Sequence, residues 1–471
     1  MRTFRDPSGR TPRRRTVPAA SAPGPAPPSR RRSPLSRHAR HSSPSGRPAT
    51  FRDVFAVGEF RPLYGSYLLS TIGDELARVA LTVLVYQRTD SAALSAITFA
   101  ISYLPWLVGG PVLSALADRF PRHRVLITSD VARAVLVALM AVPGVPLPVL
   151  LALLLAVSLC SPPFEAARNA LMADVLHGDR YAVATSLTGI TAQVAQLIGY
   201  VLGGVLLVSF SPSAALLLDA VTFAVSATWL TLGLRRRPAP VLESPDGGAG
   251  SIWLAASSGL RLVASAPRLR AIVGLLWVAA LFVNASEGIA TPLGLQLQGT
   301  TAAAGLLLAA NPAGTALGGL LIGRFCPPDL RDRLLAPLLG LSLGGVLLAG
   351  LVPLVLDRGT AAFTAVLVLF FLAGIGGACN IPLNVAFVQA VPSAYRGRAF
   401  GVAVAGLSGF QGLGAVLAGV GADVLRPSTV VALAGGIGLL AVVGPLLAMR
   451  HSPTAPRHTW RSCPRGLRAR G

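Results

Sequence analysis

Between Leu63 and Met449 the chain returns again and again to apolar runs of helix length, each closed by a short polar break. The runs VLLALLLAVSLC (149–160), LLAPLLGLSLGGVLLAGLVPLVL (334–356) and VVALAGGIGLLAVVGPLLAM (430–449) are apolar on every face. A helix crosses a bilayer with about 20 such residues. The pattern predicts twelve spans, at 61–86, 92–114, 123–142, 147–171, 182–209, 212–234, 270–291, 301–324, 333–356, 361–387, 397–421 and 428–449. PPFEAARNALMADVLHGDRY (162–181) reads as a polar joint after the fourth. The longest break, 235–269, opens on RRRPAP and divides six spans from six. The expected fold is an all-α membrane protein with twelve transmembrane helices in two six-helix bundles and a substrate path between them. Residues 1–53 form a basic tail, 54–234 the first bundle, 235–269 a central loop, 270–449 the second bundle and 450–471 a second basic tail.

Composition narrows the class. Of 471 residues 53% are hydrophobic and 13% charged, about half the charge usual in soluble proteins. Too little charged surface remains to dissolve so many apolar helices. The net charge of +22 resides largely in the two tails, which read as disordered segments drawn to anionic lipid rather than as a specific nucleic-acid surface. Arginines in the short loops orient the chain. One side receives Arg119, Arg122, Arg124, Arg180, Arg235–Arg237, Arg324, Arg331, Arg333, Arg396 and Arg398; the other receives Arg88, Arg358 and Arg426. Both termini are therefore expected in the cytoplasm.

The chain has no GxxxxGK[ST] loop, and Cys160, Cys326, Cys379 and Cys463 show no ligand spacing. Neither an ATPase nor a metal cluster is indicated, and no cofactor is expected. Chemistry has to come from charge inside the spans, where it is costly and usually functional. In STIGDELARVALTVLVYQ (70–87), Asp74 and Glu75 fall near mid-depth. Arg78 follows Asp74 by four residues on the same face, so an Asp74–Arg78 ion pair is geometrically open. Glu75 points about 100° away and has no evident local partner. Such a cluster either holds the bundle together or lets a carboxylate bind and release a proton. Asp74, Glu75, Arg78 and, in the second half, Glu287 are the candidates for coupling or gating. Asp130 with Arg133, and Glu165 with Arg168, stand at i,i+3 and suit a cytoplasmic gate or packing network. Asp219 falls near the outer part of span six. Gln193, Gln196, Asn284, Asn380 and Gln411 are candidate cavity or substrate residues; each alone equally suits an interhelical hydrogen bond. Gly199, Gly203 and Gly204 permit close helix packing.

The joint SALADRFPRHRV (114–125) resembles the signature loop of the major facilitator superfamily, Gly-x-Leu-Ala-Asp-Arg-x-Gly-Arg-Arg. Leu116, Ala117, Asp118, Arg119, Arg122 and Arg124 match; Ser114 and Pro121 stand where the pattern has glycines. The opening FRxLYGSYLLSTIGDELARVALTVLVY, the DAVTF of span six and RGRAFG after span ten resemble the branch of the enterobactin exporter and macrolide-efflux-type proteins. GYVLGG resembles the helix-five motif of drug/proton antiporters, with Tyr200 in place of a proline. The resemblance implies alternating access without covalent chemistry, so the protein is not an enzyme. It further implies proton-driven export of hydrophobic or amphiphilic small molecules of drug, macrolide or siderophore type by a monomer in a bacterial plasma membrane. The alternative is a transporter of the same fold that takes up a metabolite or secretes one natural product. The signature loop, with Asp118, Arg119, Arg122 and Arg124, is expected to act at the cytoplasmic gate.

Overall fold

The computed structural model describes residues 49–108, 120–238, 260–357, 359–391 and 396–451, with no strand among them. The tails, much of the central loop, and Asp118 and Arg119 of the signature loop lie outside the described residues. The first half contributes α1 (Phe51–Phe55), α2 (Phe60–Thr89), α3 (Ala92–Ile101), α4 (Leu104–Val108), α5 (Arg122–Met140), α6 (Leu147–Leu159), α7 (Ser161–Val175), α8 (Asp179–Ser209) and α9 (Pro212–Gly233). The second contributes α10 (Pro267–Gly288), α11 (Ala290–Gln298), α12 (Thr301–Phe325), α13 (Pro328–Val355), α14 (Thr360–Gly377), α15 (Asn380–Ala390), α16 (Arg396–Val424) and α17 (Pro427–His451).

Local chemistry sets these ends. Ser91 and Ser211 cap α3 and α9 by accepting from Leu94 N–H at 3.2 Å and Ala214 N–H at 3.3 Å. Asp90, at φ 51°, turns the chain out of α2. Four expected spans are each divided in two, between α3 and α4, α6 and α7, α10 and α11, and α14 and α15. Pro105, Pro162, Pro292 and Pro382 follow the four breaks. Each lacks the N–H that would reach the carbonyl four residues back, which for these prolines falls at the break itself. The stretch read as a polar joint from 162 instead continues as helix α7 to Val175, because Phe164, Ala167, Leu171 and Met172 bury one face.

Among the described residues, nine helices are long and apolar enough to cross a membrane when α6 with α7, and α14 with α15, are each counted as one. α2 is not one of them; it carries Asp74, Glu75 and Arg78. Within the first half, α2 packs on α8 and α9, and α5 on α7 and α9. In the second, α14 packs on α12 and α13, α10 on α16 and α17, and α13 on α17. Two seams join the halves: α8 against α12, and α3 with α4 against α16.

Both seams rely on small residues, which let backbones approach. A methyl added at Gly204 of α8 would lie 2.7 Å from Gly305 Cα of α12, and one at Gly419 of α16 would lie 2.9 Å from Ala92 O. At this end one apolar core runs through both halves, from Val79, Val83 and Tyr200 to Ile289, Leu293 and Leu307. At the other end the cores are separate: Phe60, Leu126, Phe164 and Leu171 in the first half, Leu383, Phe387 and Ala403 in the second. The shared core lies at the arginine-poor end.

Asp423, at the end of α16, closes that end. Its carboxylate accepts from the Ala92 and Ala93 N–H groups at 2.6 and 3.2 Å and from the Ser91 hydroxyl at 2.9 Å. A carboxylate at a helix N-terminus meets both unpaired donors and the positive end of the dipole. Asp423→Ala removes a cap worth about 1 kcal/mol and should open the seam roughly fivefold more often. Ala96→Cys, buried in the seam, reports this by its rate of maleimide labelling in a chain whose native cysteines are replaced. Equal rates with and without Asp423 would show that the cap does not hold the halves together.

Candidate functional site

A cavity of about 420 Å³ lies between the halves. Gln193 and Gln196 reach it from α8, Asn284 and Glu287 from α10, Asn380 from α15 and Gln411 from α16. All five amide candidates and Glu287 thus come together. Asn284 donates to Ala280 O at 3.0 Å. Leu276, Val283, Phe387 and Leu407 supply apolar wall. Among the described lining residues Glu287 is the one carboxylate, and none is Arg, Lys or His. Asn311, Thr315 and Asn384 also line it and were not anticipated. The Asn311-Pro312 pair inside an apolar run was the available signal. Pro312 brings no N–H to its turn, and Thr315 donates to both Asn311 O and Gly374 O at 3.0 Å.

A second cavity, about 400 Å³, is lined entirely from the first half, by Asp74, Glu75, Arg78, Arg133, Glu165 and Asp219 among others. The pairing left open between Asp74 and Arg78 is not the one formed, and Glu75, which had no evident local partner, takes the guanidinium. Arg78 Nη1 lies 2.5 Å from Glu75 Oε2. The longer glutamate, three residues back, reaches the guanidinium, while Asp74 faces the cavity beside Asp219 and Arg133. The same Nη1 donates to Tyr200 Oη at 3.2 Å, and Gln196 Nε2 donates to that oxygen, also at 3.2 Å. The guanidinium stands over the Phe99 ring at 5.6 Å and the Tyr103 ring at 5.9 Å.

The ion pair therefore divides the two cavities. Glu75 and Arg78 line the charged one; Tyr103 and Gln196, which touch or follow the pair, line the other. The glycines of α8 make room for it. A methyl at Gly199 would lie 2.5 Å from Glu75 Cβ, and one at Gly203 would lie 2.8 Å from Val79 Cβ. Gly204 belongs to the seam with α12.

The contacts of the expected gate residues stay within the first half. Asp130 accepts from the Ser226 hydroxyl at 2.5 Å and stands 4.0 Å from Arg133, whose guanidinium lies between the Phe164 and Phe223 rings at 4.9 and 5.3 Å. Glu165 pairs with Arg168 at 2.6 Å, and Arg168 covers the Tyr67 ring at 4.0 Å. Arg122 pairs with Asp174 and donates to Ala170 O at 3.3 Å, tying α5 to α7. Arg124 lines a groove with His123 and Arg236. Asp219, expected near the outer part of its span, is 1% exposed at the heart of the bundle.

The sequence model described as Major Facilitator Superfamily matches residues 63–326 and 277–465. A protein described as an uncharacterized MFS-type transporter, YfiS of Bacillus subtilis (strain 168), is 28% identical over 398 residues, covering 82% of this chain and 93% of its own. Among solved structures, a variant of the peptide transporter POT in complex with alafosfalin superposes with a TM-score of 0.67 at 14% identity, over 86% of this chain and 97% of its own. A variant of the nucleoside transporter NupG gives 0.62 at 14%, over 82% and 99%. At such identities these structures speak for the fold alone.

Removing one partner of a buried ion pair strands the other. Glu75→Gln or Arg78→Gln alone should cost about 3–5 kcal/mol of stability, and the double variant clearly less than the sum. Thermal unfolding of the detergent-solubilised protein measures this; strictly additive losses would show that the two charges are not coupled.

Proposed function

Because the chain belongs to the major facilitator superfamily, we propose that this membrane transporter is a proton-coupled secondary exporter of hydrophobic or amphiphilic small molecules working by alternating access. The observation that carries this reading is the composition of the cavity between the halves. Amides and apolar side chains surround a single carboxylate, Glu287, with no basic residue among the described lining. An amphiphile with a cationic or neutral head can bury its body against Leu276, Val283 and Phe387 while amides or Glu287 take its polar end. A zwitterionic peptide would bring in a carboxylate, which needs a cationic partner to leave water; this cavity offers none. A zwitterionic peptide is therefore not the cargo proposed here.

The arrangement of the seams suits loading from the cytoplasm. The halves share a core at the arginine-poor end and keep separate cores at the arginine-rich end. With the arginine-rich loops in the cytoplasm, this is an inward-facing state, in which an exporter loads its cargo. Asp74, Glu75, Arg78 and Glu287 are the groups whose charge exchanges with the proton or gates the change of state.

Everted vesicles test the proposal. A cationic amphiphilic dye should accumulate under a proton gradient and cease to do so with a protonophore. Glu287→Gln, matched for membrane abundance, should lower transport of the cationic dye roughly tenfold or more, the loss of one charge-assisted contact, and spare a neutral analogue. Flux indifferent to the protonophore would contradict the coupling, and an equal loss for both dyes would overturn Glu287 as the contact for the cationic head and leave it a coupling group.

A further inference from the structure

The interior of the first half holds more negative charge than its arginines offset. Asp74, Glu75, Asp130, Glu165 and Asp219 stand against Arg78, Arg133 and Arg168, five carboxylates to three guanidinium groups. Each arginine sits three residues after a carboxylate of its own helix, at 2.5 Å for Glu75, 4.0 Å for Asp130 and 2.6 Å for Glu165. Asp74 and Asp219 are left over. Neither forms an ion pair among the described residues.

Both line the cavity inside the first half. Gly73 lets α2 and α9 meet there, since a methyl at that position would overlap the Asp219 carboxylate and the Thr222 hydroxyl. Asp219 receives one hydroxyl, from Thr222 at 3.2 Å, and that hydroxyl is shared with the Asp219 carbonyl at 2.8 Å. An independent feature points to a missing occupant. Ser70, one turn before Asp74 on the same face of α2, is 3% exposed and lines the same cavity, and its Oγ has no hydrogen-bond partner. Buried hydroxyls are almost always satisfied, and two surplus carboxylates within a membrane bundle require compensating positive charge.

We infer that Asp74, Asp219 and Ser70 form a site for a small monovalent cation inside the first half, apart from the substrate cavity. A proton would sit on a carboxylate oxygen and be shared with its neighbours. A sodium ion would be held by oxygens of both carboxylates and the Ser70 hydroxyl. In both cases one of the two surplus charges is neutralised and the cation is shared between the two carboxylates, and the change is felt across the Glu75–Arg78–Tyr200 contacts by Gln196 at the substrate cavity. The remaining charges facing the site are Arg133 from α5 and Glu165 from α7. As the coupling site this rests on the proposed gradient-driven transport; as a cation site it does not, and its test uses no substrate.

The full chain in lipid nanodiscs, as wild type, Asp219→Asn, Asp74→Asn and Ser70→Ala, each monodisperse, separates the two ions. Infrared difference spectra between acid and alkaline buffer should show a carboxylic-acid carbonyl band that falls in either aspartate variant if the occupant is a proton. Equilibrium binding of radioactive sodium at alkaline pH should be saturable, lost in the aspartate variants and weakened several-fold by Ser70→Ala if it is sodium. Ser70→Ala leaves every charge in place, so it remains informative if an aspartate variant fails to fold. Wild type with neither signal, or signals that none of the three variants alters, overturns the site. Cation binding without flux of any amphiphile would instead keep the site and overturn the transport reading.

Discussion

The Glu75–Arg78 ion pair is the contact on which the interior of this protein depends. A charge buried in a bilayer-spanning bundle is tolerated only when paired and hydrogen-bonded, and Arg78 is both, through Glu75 and the fully buried Tyr200. Three features of the sequence make it possible. Gly199 leaves space for the glutamate against α8, Tyr200 supplies an acceptor one residue later, and Phe99 presents a ring face to the guanidinium. Through Tyr200 and Gln196 the pair connects the charged cavity of the first half to the cavity between the halves.

The bundles themselves are held by different physics. Within each half, helices interlock over their length. Between halves, contact is made by backbones meeting at Gly204, Gly305 and Gly419, by the shared core, and by the Asp423 cap. Glycine seams contribute dispersion and close approach but little interdigitation. They can part and re-form without repacking either bundle, which is what rigid-body rocking requires.

How much of this was legible in the sequence varied with the range of the interaction. Apolar runs marked the helices, and isolated amides in those runs marked the lining of the cavity between the halves, because a lone polar residue in a lipid-facing helix has to point inward. The proline breaks were written in the sequence too, but a proline changes the chain there by withholding a backbone donor, and hydropathy is blind to that. The choice between Asp74 and Glu75 as partner of Arg78 was not legible: i,i+3 and i,i+4 are both neighbours on a helix, and the outcome depended on α8 and α9. The burial of Asp219 was not legible for the same reason, because it rests on the close approach allowed by Gly73 on another helix, a contact between residues far apart in the chain.

The two cavities differ in a way that bears on mechanism. The one between the halves is walled mainly by the second, with one carboxylate among amides; the other belongs wholly to the first half and is dense in charge. On the proposed reading cargo and ion chemistry are separated in space, and a single guanidinium touches the boundary. Because Arg78 is shared between Glu75 and Tyr200, a change of charge on the first-half carboxylates alters how strongly Glu75 must hold it. Any slackening there changes the donors presented to Tyr200, and through Gln196 the polarity of the substrate cavity. Coupling of this kind needs no long conformational wire. It needs one buried cation with two acceptors and an excess of negative charge on one side.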